Sequence, residues 1–359
     1  MKKIDEILAL PNIMDRVTQL KRGRGWRKEP DTIENMKNWF IEGHEINDKE
    51  KYPDKTIVVK AGKKVTDPRT GKTYTTDDET ETQPANHIAV PIEQEIINRH
   101  VGFGVGLEPT LNFDASDISE NALVNALKYT MKKNRCKFNN KKEMRAWLAE
   151  QEVAEYWYAA PDTDDFWAKA DKTEGYKLSR PAYRLKCAIW SPFRGDKLYP
   201  FFEGEDITGF LREYQKPLTG LSNSTITCYM LITDDKVYMW DADATTAGYK
   251  ESVFNHGFPK MPIIYTYRLQ PYCHNIKPER VRLEKTLSSY ADCIDYNFFP
   301  YLLLTGEVSG TSGRLKNHVI NLHGQGASAT YLTWDQAPDV VKFEVETCLN
   351  NIYSMTSTP

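Results

Sequence analysis

The residues of this 359-residue chain whose types and spacing could perform chemistry lie in the segment WDADATTAG, at positions 240–248. Asp241 and Asp243 are separated by one residue, and Thr245 follows two positions later. In this spacing the first carboxylate can attack a phosphorus atom, the second can act as acid and base, and Mg²⁺ can offset the charge of the phosphate oxygens. The segment therefore indicates phosphoryl transfer as one function to weigh.

The surroundings of this motif do not favour a phosphotransferase. In haloacid-dehalogenase-like phosphotransferases, whose motif Asp241 and Asp243 resemble, the motif stands early in a parallel sheet of alternating strands and helices. Here it follows a series of strand-like segments, and two helices flanking a short insertion come after it. A polar turn is the simpler interpretation. A Mg²⁺-dependent phosphotransferase using Asp241 and Asp243 is the alternative function.

Other motifs for phosphate or metal binding are incomplete. GFGVG at 102–106 lacks the dinucleotide spacing, and TGKTY at 70–74 lacks the upstream glycine of a P-loop. Cys273 and His274, with His256 upstream, are too few and too widely spaced for a metal site. We therefore predict that the chain is not an enzyme and has no catalytic residues, no metal site and no cofactor.

The cysteine spacing and the charge balance restrict the class of protein further. Six widely spaced cysteines without a Cys-x-x-Cys pair predict buried free thiols in a reducing compartment. The net charge of −3 comes from mixed acids and bases, which argues against a repressor or nuclease, because those need clustered Lys and Arg. No apolar run reaches the roughly 18 residues of a membrane helix. We expect a cytosolic protein that is neither secreted nor membrane-spanning.

The fold class predicted from periodicity is α+β. Asp31 and Glu34 form a capping pattern for a helix through Phe40. Residues 47–86, with a turn at TDPRTGKTY, suggest either an exposed hairpin or a mobile arm. Two helices are predicted between residues 116 and 161. The first has a cap at Ser116 or Asp117 and the apolar residues Leu123, Leu127 and Met131. The second has a cap at Asn140 and carries Met144, Trp147, Leu148 and Ala154. A packed Tyr156-Trp157-Tyr158 cluster is predicted at its end.

Strand-like alternation replaces the helical period in the middle of the chain. It predicts an antiparallel meander joined by Gly, Asp and Pro turns. The predicted strands are 183–190, 198–202, 209–215, 225–233 and 237–240.

The last eighty residues predict two helices that flank a glycine-rich β insertion. The first helix begins at Pro278 and the second follows Pro338. The insertion suggests three strands, at 301–304, 315–322 and 331–334. The apolar positions that recur at helical spacing are Leu283, Leu287, Tyr290, Ile294 and Phe298 in the first helix, and Val341, Val345, Leu349, Ile352 and Met355 in the second.

Several segments, taken in their order along the chain, resemble portal proteins of tailed double-stranded DNA bacteriophages, in the siphophage-type group. The segments that carry the resemblance are MKNWFIEGHEI (36–46), IEQEIINRHVGFGVGLEP (92–109), WSPFRGDKLYPFFEGED (190–206), HGFPKMPIIYTYR (256–268), PERVRLEKTLSSYADCIDYNFFPYLLLTGE (278–307) and VETCLNNIYSMTSTP (345–359).

The resemblance implies a portal-like domain organisation. Residues 1–30 would form an N-terminal arm and residues 31–276 an α/β wing containing the meander. The first stem helix would be 277–300, the clip 301–336 and the second stem helix 337–359. Portal proteins continue beyond this point with a tunnel loop and a crown, so we expect the chain to represent an N-terminal portion.

The resemblance also implies function, partners and location. The chain would be one of usually twelve identical subunits in a closed ring at a capsid vertex, through which the genome is packaged and ejected. Its partners would be the terminase large subunit, a head-completion or adaptor protein, a major capsid or scaffolding protein, and double-stranded DNA bound without sequence specificity. It would reside in the virion, with assembly in the host cytoplasm and no membrane.

Candidate site residues follow from this reading of the two helices and the insertion. The charged channel-facing candidates are Arg282, Lys285, Lys342 and Glu346. The candidates for clip contacts to the motor or adaptor are Arg314, Lys316 and His318. The candidates for packing between subunits are Leu283, Leu287, Tyr290, Ile294, Val345, Leu349 and Ile352.

Overall fold

The structure is a computed structural model, and it places the chain's elements in two compact units. The first unit comprises Met1–Phe40, Pro91–Asn275 and Thr358–Pro359, and the second comprises Ile41–Val90 and Ile276–Ser357. The described residues are 3–60, 62–69, 71–107, 112–114, 116–162, 166–167, 182–217, 224–242, 248–297, 301–312, 319–332 and 338–358.

Six of the described helices belong to the first unit. Asp31 Oδ1 accepts the Glu34 N–H at 3.0 Å and Asp117 Oδ1 accepts the Glu120 N–H at 2.8 Å, which confirms both predicted caps. The helix predicted to start at Asn140 instead starts earlier, at Cys136. The six helices are α1 Ile4–Leu8, α2 Ile13–Arg22, α3 Thr32–Trp39, α4 Ile92–Val105, α5 Ile118–Lys133 and α6 Cys136–Glu150.

In its described residues this unit also contains two antiparallel sheets. Four of the five strands predicted for the meander are present in a five-stranded sheet of the order β11-β10-β9-β8-β7, in which β11 was not predicted. The fifth, 183–190, was assigned to the wrong sheet, since it is β6 of a second sheet with the order β12-β5-β6. Together with the helices, these sheets confirm the α+β class. The strands are β5 Glu152–Pro161, β6 Tyr183–Trp190, β7 Lys197–Glu203, β8 Asp206–Pro217, β9 Thr225–Thr233, β10 Lys236–Ala242, β11 Tyr249–Asn255 and β12 Ile263–Tyr267.

Both faces of the five-stranded sheet are covered. Successive side chains of a strand point to opposite faces, so Leu211 and Leu231 pack on one side while Phe210 and Ile232 pack on the other. On the first side the cluster includes Ile7, Val17 and Leu20 of α1 and α2. The N-terminal residues expected to form an arm are therefore folded, in their described part, onto this sheet. On the other side the cluster includes Ala154 and Trp190 of the three-stranded sheet.

The second helix predicted between 116 and 161 was placed wrongly at its end. α6 stops at Glu150, and the region of Ala154 and Tyr156 is strand β5. The break occurs at Gln151, whose φ of 83° lies in the left-handed region. A residue other than glycine adopts that conformation at a cost, so nothing in the amino-acid type marked the break.

Two further helix predictions need correction. In α5 the buried side chains are Ala122, Ala126 and Thr130, while Leu123 and Leu127, two of the apolar residues on which the helix was predicted, are exposed. Small buried side chains allow close approach of the helix to its neighbours. The resemblance of residues 92–109 to portal proteins implies a glycine-bearing loop at GFGVG, but α4 continues through Val105.

The second unit contains two long helices, α7 Lys277–Asn297 and α8 Pro338–Met355. The predicted exposed hairpin is present as two antiparallel pairs, β1 with β4 and β2 with β3. In place of the three short strands predicted, the described residues of the insertion form one pair of long strands, β13 with β14. The strands are β1 Lys55–Lys60, β2 Lys64–Thr66, β3 Thr73–Thr75, β4 Glu79–Gln83, β13 Tyr301–Ser312 and β14 Val319–Leu332.

No disulfide joins any of the six cysteines, all of which the structure describes. The predicted burial is confirmed for Cys136, Cys228, Cys273 and Cys348, whereas Cys187 and Cys293 are only half-buried. Among the described helices, none combines the length and apolarity that crossing a bilayer requires.

Candidate functional site

The helices α7 and α8 pack against each other as an antiparallel pair. Arg282 Nε donates to Glu344 Oε1 at 2.6 Å. Burial raises the pKa of the Cys348 thiol, and the Glu279 carboxylate beside it raises this pKa further. Glu279 and Arg282 of α7 therefore lie beside Cys348 and Glu344 of α8, respectively, so the two helices run in opposite directions. We call these two helices the helix pair.

The long strands β13 and β14 join the two helices. Tyr301 pairs with Leu332 next to the helix ends, and Ser312 pairs with Val319 at the far end. Twelve residues of strand extend about 40 Å. The register shifts between Thr305 and Glu307 and again between Val308 and Gly310, and such bulges increase the local twist of a ribbon.

The residues predicted to pack between subunits differ in burial within the single chain. Leu283 and Ile352 are fully buried, so contacts inside the chain already surround them. Leu287, Tyr290, Val345 and Leu349 are partly buried, and Ile294 is exposed.

Two further apolar side chains of α8 lie on the surface, and the sequence prediction did not include them. Val340 is 65% exposed and Phe343 is 70% exposed. They are three positions apart and therefore share a helix face. Neither residue belongs to the series of apolar positions that begins at Val341. The sequence signal that could have revealed them is a second, shorter apolar series at positions 340 and 343.

The four charged channel candidates are all on the surface. Arg282 is paired with Glu344, while Lys342 and Glu346 lie 3.9 Å apart, one helical turn from each other. Lys285 is exposed on α7. Arg314, Lys316 and His318, the predicted clip contacts, lie outside the described residues.

One polar face of α7 is occupied by a distant segment of the same unit. The backbone N–H groups of Val90, Ile88 and Asn86 donate to side-chain oxygens of α7 at 2.9, 2.9 and 2.8 Å. The acceptors in the same order are Glu284 Oε1, Ser288 Oγ and Asp292 Oδ1.

The spacing of these hydrogen bonds explains the fit. Four residues of helix rise about 6.0 Å, and two residues of extended chain advance about 6.6 Å. Alternate amides of residues 86–90 therefore meet every fourth side chain of α7, running in the opposite direction. The sequence showed only polar residues at these helix positions, a pattern that also fits a face exposed to water.

Asp292 also holds the start of the hairpin. Lys55 Nζ lies 2.7 Å from Asp292 Oδ2, and Asn86 Nδ2 donates to Asp292 Oδ1 at 3.0 Å. Burial acts to raise the pKa of Asp292, but the Lys55 ammonium and the Asn86 N–H groups outweigh it, so the pKa is lowered.

The alternative phosphotransferase motif lacks its required setting in the part of the chain that the structure describes. Asp241 lies in β10 of the antiparallel meander, with its Oδ1 2.5 Å from Lys216 Nζ. Asp243 and Thr245 are outside the described residues. Every strand pairing within the described residues is antiparallel. Their His, Cys, Asp and Glu side chains form no group arranged to hold a metal ion.

Comparison with known proteins identifies the family of the chain. A search of curated proteins finds no match. A family model described as phage portal protein, SPP1 Gp6-like, matches residues 24–359, which include the meander, the hairpin, the helix pair and the β13–β14 ribbon. The chain therefore belongs to the SPP1 Gp6-like family of phage portal proteins.

Proposed function

We propose that the chain is a subunit of the ring-shaped portal at the capsid vertex, forming a channel for genome packaging and ejection. In this proposal the helix pair is the stem, the β13–β14 ribbon is part of the clip, and residues 31–276 contribute the wing. The exposed apolar face of α8 at Val340 and Phe343 carries the proposal. Family membership supports it.

Exposed apolar side chains on a helix favour contact with another surface. Phe343 and Val340 each leave more than half of their surface in water in the single chain. Contact between this face and a different face of an identical copy would be heterologous, and heterologous contacts close into rings when the rotation per subunit fits. Ile294 on α7 is an exposed apolar residue available to such a neighbour.

The charged residues of the helix pair are suited to weak contact with DNA. Arg282, Lys285 and Lys342 supply cations, and each of Arg282 and Lys342 has an acidic residue beside it. Phosphates next to paired charges are bound weakly and without regard to sequence, which allows DNA to slide. We assign these residues, with Glu346, to the channel wall.

The remaining partners follow from the same proposal. The far end of the ribbon, with Arg314, Lys316 and His318, would contact the terminase large subunit during packaging and a head-completion or adaptor protein afterwards. A major capsid or scaffolding protein would hold the ring at its vertex. The ring would assemble in the host cytoplasm, usually from twelve subunits.

Electron microscopy of the purified protein tests this function directly. We expect rings with an axial hole wide enough for double-stranded DNA, and a mass that is a multiple of 41.4 kDa in solution. A protein that remains monomeric over a wide range of concentration and ionic strength would contradict the proposal.

A further inference from the structure

Residues 54–85 form the hairpin of the second unit, which is here called the arm and is distinct from the N-terminal arm expected at residues 1–30. Its base is closed by the Ala85 N–H, which donates to Asp54 Oδ1 at 3.1 Å. Its tip is a tight turn in which the Gly71 N–H donates to the Asp67 carbonyl at 2.8 Å. Between base and tip, β1 pairs with β4 and then β2 pairs with β3. Backbone hydrogen bonds thus define the arm along its length.

The arm has little side-chain cover. Every residue of β2 is exposed, and so is every residue of β4 except Gln83. Val58 and Val65 are exposed apolar side chains on its outgoing half. An isolated two-stranded ribbon is marginally stable in water, and its edges carry unpaired backbone groups that favour another strand. Within the described residues no third strand joins β1 or β4.

Charge is divided between the two halves of the arm. From residue 55 to 66 the sequence contains four lysines and no acid, and from 73 to 83 it contains four acids and no Lys or Arg. The lysines are Lys55, Lys60, Lys63 and Lys64, and the acids are Asp77, Asp78, Glu79 and Glu81. The arm therefore has one basic edge and one acidic edge.

We propose that the arms of neighbouring subunits pair edge to edge, with the acidic β4 edge of one against the basic β1 edge of the next. This inference rests on the proposed ring. Rotation about the ring axis gives all arms the same direction along that axis, so β4 of one subunit and β1 of the next run antiparallel. Strands and charges then alternate around the ring, and opposite charges face each other across every new contact.

Two charge-reversal variants, expressed singly and then together, distinguish contacts between the arms of different chains from contacts within one arm. The variant K63E/K64E cancels the charge of the basic edge, leaving two lysines and two acids there, and the variant D77K/E81K likewise leaves two acids and two lysines on the acidic edge. All four side chains are exposed. Each variant alone should lose the contact between arms. Co-expression of the two should restore it, since an acidic edge again meets a basic one, whereas complementarity within each arm stays lost.

Carbodiimide coupling, which joins a lysine amine to a nearby carboxylate, provides the measurement. Wild-type protein should give covalent dimers and higher multiples on a denaturing gel, through peptides containing residues 63–64 and 77–81 of different chains. Their yield should fall at least fivefold in each variant and return on co-expression of the two.

The outcomes distinguish this inference from the proposed function. A yield unchanged by either charge reversal, or not restored by co-expression, overturns the pairing of arms, as do linked peptides from other regions alone. If microscopy still shows rings in that case, the proposed portal function stands without the pairing of arms. Absence of both rings and covalent multiples overturns both proposals.

Discussion

His44 Nδ1 lies 2.5 Å from Glu284 Oε1, and the two side chains are 2% and 0% exposed. The same oxygen of Glu284 also accepts the Val90 N–H. One carboxylate of α7 therefore fixes both ends of the Ile41–Val90 segment to the helix. The sequence places these residues about 200 positions apart, and only the folded second unit brings them together.

Loss of this carboxylate should destabilise the protein. Glu284→Ala leaves the His44 ring nitrogen and the Val90 N–H buried without their acceptor, and we expect a loss of about 3 kcal/mol in the free energy of unfolding. Urea denaturation followed by circular dichroism measures it. Lys285→Ala, at the exposed neighbouring position, is the control and should change stability by less than about 0.5 kcal/mol. Equal effects of the two variants would disprove the structural role of Glu284.

The hydrogen bond between Ser288 and residues 86–90 can be tested at a single amide. Ser288→Ala removes the acceptor of the Ile88 N–H, so exchange of that amide with solvent should accelerate about fivefold, as expected for a hydrogen bond worth about 1 kcal/mol. Hydrogen exchange measured by NMR or mass spectrometry with fragmentation reports it. The Val90 amide, bonded to Glu284, is the internal reference. An unaltered Ile88 rate would refute the antiparallel alignment on α7.

The stability of the first unit should depend on pH because of the carboxyl group of Glu143. Burial, reinforced by the carboxylate of Glu155, raises the pKa of Glu143 from 4.5 to about 8. Between these values the folded protein retains a proton that the unfolded chain has released, so stability falls as pH rises from about 4.5 and levels off above about 8. Glu143→Gln mimics the protonated form. It should match wild type below about pH 4 and be more stable than wild type at pH 8.5.

Chemical denaturation at several pH values measures this difference. Glu205→Gln, a substitution of an exposed carboxylate in the same unit, is the control and should follow the wild-type curve. A Glu143→Gln curve parallel to wild type over this range would show that Glu143 does not control the pH dependence.

The proposed subunit contact should depend on Phe343. Phe343→Glu places a charge on the exposed apolar face of α8, and burying an unpaired charge at a contact is costly, so the fraction of protein in rings should fall at least tenfold at a fixed concentration. Sedimentation velocity measures the fraction. The control is Phe138→Glu on α6, because Phe138 is also an exposed helical phenylalanine, at 60%. Rings unaffected by Phe343→Glu would place the contact elsewhere.

The sequence predicted those elements whose periodicity is local. The long helices α7 and α8 and the strands of the meander follow from apolar residues repeating at helical or alternating spacing. The strand β5 was missed because α6 ends at Gln151, whose positive φ has no signature in its residue type. Likewise the burial of Ala122 and Ala126, in place of Leu123 and Leu127, depends on how closely neighbouring elements approach.

The candidate site was predictable to a similar extent. Helical spacing identified the apolar series that includes Leu283 and Ile352, which are buried within the single chain. It could not distinguish the polar residues Glu284, Ser288 and Asp292 from those exposed to water, since their partners are backbone amides of an extended segment. A backbone N–H is present at nearly every position of a sequence and therefore gives no signal there.

The Asp54–Ala85 hydrogen bond at the base of the arm has a practical consequence for protein engineering. Because the two chain ends already meet there, replacing everything between them by a short glycine-containing turn removes one ion pair of α7, between Lys55 and Asp292, and keeps the hydrogen bonds of residues 86–90 to that helix. The arm can therefore be removed or replaced as one unit. Insertion of a peptide tag near Gly71 at its tip, or complete excision, should leave the remaining fold intact.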